Sequence, residues 1–141
     1  MSGFFKSKKN SSPAKILVVD DEPDCISIVQ GRLEWSHYEI ITAANGKEGL
    51  EKAANEKPDL VLLDTNMPIM DGHEMLERMR KDPVLKDTPV IMVTALCEAQ
   101  DVAVASSFGI SDYVTKPIDF AKLVEKISNT LEQKTSGSAK K

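Results

Sequence analysis

Residues 60–68 read LVLLDTNMP, which is four consecutive aliphatic side chains, then an aspartate, then a short stretch that ends in proline. An aliphatic run of this length is typical of a strand with both faces buried, as in a parallel sheet covered by helices. The aspartate, Asp64, follows the strand directly, and ligand sites of α/β sheets form at the carboxyl ends of strands. This stretch therefore predicts both the class of fold and the position of a site.

Four further runs of strand length occur along the chain, at residues 16–19, 39–43, 90–93 and 111–115. Segments of helical length separate them, and the last segment places apolar residues 120, 123, 124, 127 and 131 on one face. Such alternation requires parallel strands joined by right-handed crossovers, with helices on both faces of the sheet. The predicted fold is an α/β doubly wound (βα)5 sandwich.

Several residues mark where the predicted helices begin and end. Pro23 suits the first turn of the first helix, and Asn45 can cap the second. Pro83 stops the third helix, because the residue before a proline avoids the helical region. A weaker fourth helix spans roughly residues 98–108 and ends at Gly109, where a left-handed cap fits.

The two ends of the chain differ in composition from the part between them. Residues 1–13 and 133–141 are rich in serine and lysine and lack apolar periodicity, so they are predicted to be flexible tails around a single domain at residues 14–132. These tails leave no room for an output domain. The sequence therefore predicts a stand-alone protein whose output lies in a partner.

Overall charge and cysteine content narrow the class of protein. The chain has 22 acidic and 18 basic residues, a balance that gives no indication of nucleic-acid binding. No run of about 18 apolar residues is present, so membrane insertion is not expected. A cytoplasmic location is predicted. Cys25 and Cys97 have no partner at metal-ligand spacing and are predicted to be packing or surface residues.

Polar side chains follow four of the five predicted strands at the point where each strand ends. They are Asp20, Asp21 and Glu22 after strand one, Asp64, Thr65 and Asn66 after strand three, Thr94 after strand four, and Lys116 with Pro117 after strand five. Strand two ends in two alanines, as expected of an edge strand away from a central site.

The acidic pair, the aspartate of strand three, the threonine of strand four and the Lys-Pro of strand five together resemble the CheY-like receiver domain of bacterial two-component response regulators. The resemblance covers roughly residues 14–132 and contains each hallmark in order. It implies the flavodoxin-like strand order 2-1-3-4-5.

The resemblance also implies a chemistry. Asp64 would accept a phosphoryl group from a histidine kinase or a phosphotransfer protein and form an acyl phosphate. Mg²⁺ or Mn²⁺ would be bound by Asp20, Asp21, Asp64 and the backbone carbonyl of Asn66, since oxygen ligands suit these ions. Such a protein catalyses only its own phosphorylation and dephosphorylation and is otherwise not an enzyme.

The resemblance implies that the remaining hallmark residues respond to the phosphoryl group. Lys116 would neutralise the phosphoryl oxygens, and its bond to Pro117 would be cis. Thr94 would donate its hydroxyl to the phosphoryl group, and Tyr113 would turn inward as a switch. The face built from the fourth helix, the fifth strand and the last helix would then change its binding of a downstream target protein.

Each of these residues also has an ordinary structural explanation. Acidic side chains are favoured at the start of a helix, which would account for Asp20 and Asp21 without a metal. Asp64 would fit an Asx turn, Thr94 a strand and Tyr113 core packing. The joint occurrence of these residues at the ends of strands favours the site.

Two other functions compete with the receiver. An aspartate-nucleophile phosphatase of the haloacid dehalogenase type also forms an aspartyl-phosphate, but it needs a second acid two residues on, where this chain has Asn66. Its nucleophile also ends the first strand, whereas Asp64 ends the third. A receiver-like module that signals by protein contact alone would be expected to lack the acceptor, an acid or the lysine, and all are present.

Overall fold

A computed structural model of the chain describes residues 13–95, 103 and 106–140. The strands are β1 (Lys15–Val19), β2 (Glu39–Ala43), β3 (Leu60–Asp64), β4 (Val90–Thr94) and β5 (Asp112–Thr115). The helices are α1 (Pro23–Trp35), α2 (Gly46–Glu56), α3 (Gly72–Lys81) and α4 (Phe120–Lys140). The predicted fourth helix lies largely outside the described residues, of which Ala103, Ser106 and Ser107 are helical.

The five strands form one parallel sheet in the order β2-β1-β3-β4-β5. This confirms the predicted doubly wound fold and its strand order. Because all strands run in the same direction, their carboxyl ends lie along one edge, with β3 in the middle. Asp64, the last residue of β3, therefore lies at the centre of that edge.

Both faces of the sheet are buried, because successive side chains of each strand point to opposite sides. In β1, Leu17 and Val19 pack in a core with residues of α2 and α3. Ile16 and Val18 pack in a second core with residues of α1 and α4. The two cores explain why the strands read as uninterrupted aliphatic runs.

The helix ends follow the predicted signals where the structure describes them. Pro23 is the first residue of α1, and the side chain of Asn45 accepts a hydrogen bond of 2.9 Å from the backbone N–H of Glu48 at the start of α2. α3 ends at Lys81, before Pro83. Gly109 has a φ of 76°, in the left-handed region that favours glycine.

The second predicted tail differs from the structure. α4 continues to Lys140, so most of residues 133–141 are helical. The apolar spacing ends at Leu131, whereas the helix continues beyond it. Glu132 and Gln133 are good helix formers, and each residue added to an existing helix gains a backbone hydrogen bond. The domain limits 14–132 remain a prediction.

None of the helices among the described residues combines the length and the hydropathy that a bilayer span requires.

Candidate functional site

Three carboxylates predicted from the strand ends lie together in the structure. Asp20 and Asp64 are each 4% exposed, and Asp21 is at the surface. One oxygen atom of each of these three side chains lies within 4.8 Å of the others. β1 and β3 are neighbours in the sheet, so their last residues bring the acids to one point.

Lys116 lies against the same group of acids. Its Nζ is 3.5 Å from Asp20 Oδ2 and 3.7 Å from Asp64 Oδ2, and a third carboxylate oxygen, Glu22 Oε1, is 3.6 Å away. Short charge-assisted hydrogen bonds between nitrogen and oxygen are about 2.7–2.9 Å. The ammonium is therefore shared among three carboxylates at longer distances and is not bound tightly to any one.

The environment of Asp64 opposes its ionisation. Burial raises the pKa of Asp64 to about 6, and the negative charges of Asp20 and Asp21 add to the rise. Lys116 and the backbone N–H of Asn66 act in the opposite direction. A divalent cation beside the carboxylate would favour its ionised form, which is the form that acts as a nucleophile.

The ammonium of Lys116 stays protonated. Burial alone would lower its pKa, but the carboxylates, of which Asp64 and Asp20 act most strongly, outweigh burial and raise the pKa. The backbone N–H of Lys116 donates to the carbonyl oxygen of Thr94 at 2.7 Å, and the Lys116-Pro117 peptide bond is cis. The end of β5 is thus tied to the end of β4 beside Asp64.

Thr94 and Tyr113 project from the same face of the sheet. Tyr113 is paired with Met92 in the register of β4 and β5, and Thr94 lies two residues beyond Met92 on the same side of its strand. Thr94 is 5% exposed and Tyr113 is half-buried. Their placement fits the predicted switch pair, and the switch role stays a prediction.

The donor atoms fit a hard divalent cation. Asp20, Asp21 and Asp64 offer carboxylate oxygens, and Mg²⁺ prefers oxygen ligands while keeping part of its coordination for water or phosphate. Asn66 lies in the turn directly after Asp64, with its side chain exposed. The role of its carbonyl as a ligand stays a prediction.

Two contacts of this site were not predicted from the sequence. Glu22 is beside Lys116, and the Cys25 thiol, which packs against the second core as expected, also donates a hydrogen bond to Asp20. Burial, followed by this hydrogen bond, raises the pKa of Cys25 to about 12, so the thiol stays protonated. The only sequence signal was position, because both residues lie at the start of the helix that follows the acidic pair.

Gly72 permits the turn after Asp64 to fold back against the site. Its N–H donates to the carbonyl oxygen of Thr65 at 3.0 Å, and a Cβ at this position would collide with the carbonyl oxygen of Asp64. A larger residue would therefore push the start of α3 away from the end of β3.

Comparisons with known proteins agree with this geometry. The family model described as the response regulator receiver domain matches residues 16–128. The chain is 44% identical over 103 residues to the alkaline phosphatase synthesis transcriptional regulatory protein PhoP of Bacillus subtilis, covering 73% of this chain and 42% of that protein. It is 38% identical over 114 residues to the response regulator PleD of Caulobacter vibrioides, covering 81% of this chain and 25% of that protein. The chain thus spans less than half the length of these two relatives.

Solved structures match over nearly their whole length. A CheY-like response regulator receiver domain protein from Methanospirillum hungatei superposes with a TM-score of 0.84 at 32% identity, covering 89% of this chain and 99% of that one. A chain from the CheX-CheY-BeF3-Mg²⁺ complex of Borrelia burgdorferi has a TM-score of 0.81 at 30% identity, covering 86% and 92%. The fold, the acidic site and these matches agree, and the chain belongs to the response regulator receiver domain family.

Proposed function

We propose that Asp64 accepts a phosphoryl group from the phosphohistidine of a histidine kinase or a phosphotransfer protein, and that this changes the binding of a partner protein. One observation carries the proposal. The buried Asp64 carboxylate, at the end of the central strand, has Lys116 Nζ at 3.7 Å and the Asp20 and Asp21 oxygens within 4.8 Å. A nucleophile and a cation-binding group are the parts that phosphoryl transfer requires, and the ammonium of Lys116 is placed to interact with the transferred group.

The transfer conserves atoms and charge. An Asp64 carboxylate oxygen attacks the phosphorus, the phosphorus–nitrogen bond of the donor breaks, and the imidazole leaves with the electron pair and takes up a proton. The product is an acyl phosphate on Asp64. Mg²⁺ or Mn²⁺, held by the acidic side chains, would neutralise charge on the phosphoryl oxygens. Lys116, whose Nζ lies 3.7 Å from Asp64 Oδ2, would interact with the same oxygens.

The output would use the surface around β5. A groove of about 410 Å³ is lined by side chains of β5 and α4, among them Tyr113, Thr115, Lys122 and Lys126. A movement of Thr94 toward the phosphoryl group and of Tyr113 inward would reshape this surface, and a partner protein would read the change. The similar chain from Borrelia burgdorferi belongs to a complex of two proteins, CheX and CheY, which supports a protein output.

The stand-alone form stays a prediction from the sequence. Two of its relatives are named as transcriptional regulators, PhoP and the DNA-binding RpaA of Synechocystis, and the chain covers 42% and 49% of their lengths. The absence of nucleic-acid binding and the cytoplasmic location remain predictions.

Phosphorylation by a small donor tests the proposal directly. The protein is incubated with Mg²⁺ and phosphoramidate, and intact-mass spectrometry should show one added phosphoryl group. Asp64→Asn and Asp64→Ala should abolish it, EDTA should abolish it, and Asp24→Asn, a surface acid of α1, should retain it. An unlabelled parent protein, or a label that persists in both Asp64 variants, would disprove the assignment.

Two additional measurements, of partner binding and of phosphate release from phosphate esters, separate the two competing functions. A parent protein that takes no label but still binds its partner would be a phosphorylation-independent binding module. A parent that continuously releases phosphate from phosphate esters would be an aspartate-nucleophile phosphatase.

A further inference from the structure

Glu22 occupies the N-cap of α1 without capping it. Its side chain makes no cap hydrogen bond, and its carboxylate lies 3.6 Å from Lys116 Nζ. Serine, threonine, aspartate and asparagine are the residues that cap helices well. Helix capping therefore does not explain a glutamate at this position, and its side chain is directed to the lysine of the site.

Lys116 pairs with three carboxylates at nearly equal distances. Its Nζ is 3.5 Å from an oxygen of Asp20, 3.6 Å from one of Glu22 and 3.7 Å from one of Asp64. A phosphoryl group on Asp64 would carry a charge of about −1.5 to −2 at neutral pH on three acceptor oxygens, in place of the single charge of the carboxylate. Lys116 can serve these oxygens only by weakening its interactions with the carboxylates that hold it in the unphosphorylated protein.

The three carboxylates differ in how easily they release the lysine. Asp20 and Asp64 are buried, and both belong to the proposed cation site. The Glu22 side chain is 65% exposed, so water can solvate its carboxylate when the lysine moves. Of the three carboxylates, Glu22 therefore loses least when the lysine moves away.

We propose that Glu22 is a positioning residue that holds Lys116 in the unphosphorylated protein and competes with the phosphoryl group for it. The inference rests on the proposed function of Asp64 and adds a determinant of how strongly the site retains a phosphoryl group. It predicts that removing the Glu22 charge tightens binding of a phosphoryl analogue.

Two variants separate this competition from a general change in charge. Glu22→Gln removes one negative charge and keeps the size of the side chain. Asp24→Asn removes one negative charge two residues away, in the first turn of α1, where the side chain is exposed and forms no ion pair with Lys116 among the residues described. Thermal unfolding should confirm that both variants fold like the parent.

Each protein is titrated with beryllofluoride at saturating Mg²⁺, and isothermal titration calorimetry measures the dissociation constant. Exposed ion pairs change an equilibrium only modestly, so Glu22→Gln should tighten binding about two- to fivefold and Asp24→Asn by less than about 1.5-fold. Equal effects of the two substitutions, or weaker binding by Glu22→Gln, would overturn the inference.

A second readout follows Lys116 itself in the unphosphorylated protein. The nuclear magnetic resonance signals of its side chain should shift in Glu22→Gln and stay in place in Asp24→Asn. If Glu22→Gln leaves these signals unchanged, Glu22 does not hold the lysine and the inference is wrong.

The outcomes also distinguish this inference from the proposed function. If the parent binds beryllofluoride and Glu22→Gln binds it no more tightly than Asp24→Asn, only the role of Glu22 fails. If the parent does not bind beryllofluoride, the role of Asp64 fails and that of Glu22 fails with it.

Discussion

Burial of Asp64 makes ionisation of its carboxyl group unfavourable. The stability of the fold should therefore depend on pH in a direction that can be measured. Its pKa in the folded protein is raised from 3.8 to about 6, so the folded state binds the proton more tightly than the unfolded chain. The protonated carboxyl group contributes to the free energy of unfolding below about pH 4, and this contribution is lost as the pH rises through about 6. The ionised side chain therefore destabilises the cation-free fold at pH 8.

Asp64→Asn should raise the free energy of unfolding at pH 8 in EDTA by about 2–3 kcal/mol, because a rise of about two pKa units corresponds to about 3 kcal/mol before screening by solvent is allowed for. The gain should largely disappear at pH 3.5, where the parent carboxyl is mostly protonated in both states. Urea denaturation at the two pH values measures it. A variant that is less stable than the parent at pH 8 would contradict this account of the carboxylate.

Lys116 is expected to matter for the response more than for folding. Lys116→Ala should still be labelled at Asp64, because the nucleophile and the acids remain, but the label should no longer change the environment of Tyr113. Tyrosine resonances with and without beryllofluoride report this change. Lys15→Ala is the matched control, since Lys15 is similarly exposed and pairs with Glu56. A parent-like response in Lys116→Ala would exclude the coupling role.

Much of the site could be predicted from residue types at the strand ends. Asp20, Asp64 and Lys116 follow buried strands directly, so the parallel sheet itself brings them together. Glu22 and Cys25 could not be assigned in the same way. Their contacts depend on how α1 turns as it leaves the sheet, and residue spacing does not specify that rotation.

At the scale of elements, Arg80 joins α3 to two loops. Its guanidinium donates to the carbonyl oxygens of Phe108 at 2.7 Å, Thr88 at 3.0 Å, Lys86 at 3.1 Å and Gly109 at 3.2 Å. These carbonyls lie in the segments that lead into β4 and β5. The five N–H donors of arginine lie in a planar fork that reaches acceptors on both loops, whereas the three donors of a lysine ammonium all come from one atom.

Arg80→Lys should therefore lower the free energy of unfolding by roughly 2–4 kcal/mol, because several half-buried carbonyl groups lose a charged donor. Arg78→Lys is the control, since Arg78 is exposed and forms one pair with Glu74, four residues earlier. That substitution should change stability by less than about 0.5 kcal/mol. Urea denaturation compares the two variants, and equal losses would show that the loop contacts of Arg80 do not stabilise the fold.

Element types were easier to predict than element ends. The strands follow uninterrupted aliphatic runs, and α1 and α2 begin at clear signals, Pro23 in the first turn of α1 and Asn45 as the cap of α2. The end of α4 could not be located from the sequence, because a helix can continue on backbone hydrogen bonds after its apolar face stops at Leu131. Arg80 gave no signal of its own, because a basic residue in the last turn of a helix is also favoured by the helix dipole alone.

At the scale of the whole molecule, the fold holds together carboxylates that repel one another. The two cores hold the strand ends in fixed positions, so the carboxylates at those ends cannot separate to relieve their repulsion. A divalent cation bound at this edge would offset that repulsion in the folded state, whereas the unfolded chain has no such cluster. Cation binding and folding should therefore be linked.

This linkage predicts that Mg²⁺ stabilises the parent more at pH 8 than at pH 5, because protonation of Asp64 below its pKa of about 6 removes one ligand charge. A tenfold excess of Mg²⁺ over its dissociation constant should add about 1.4 kcal/mol to the free energy of unfolding. Asp24→Asn should keep this gain, and Asp21→Asn should lose most of it. Urea denaturation with and without Mg²⁺ tests the point, and equal stabilisation of Asp21→Asn and the parent would place the cation elsewhere.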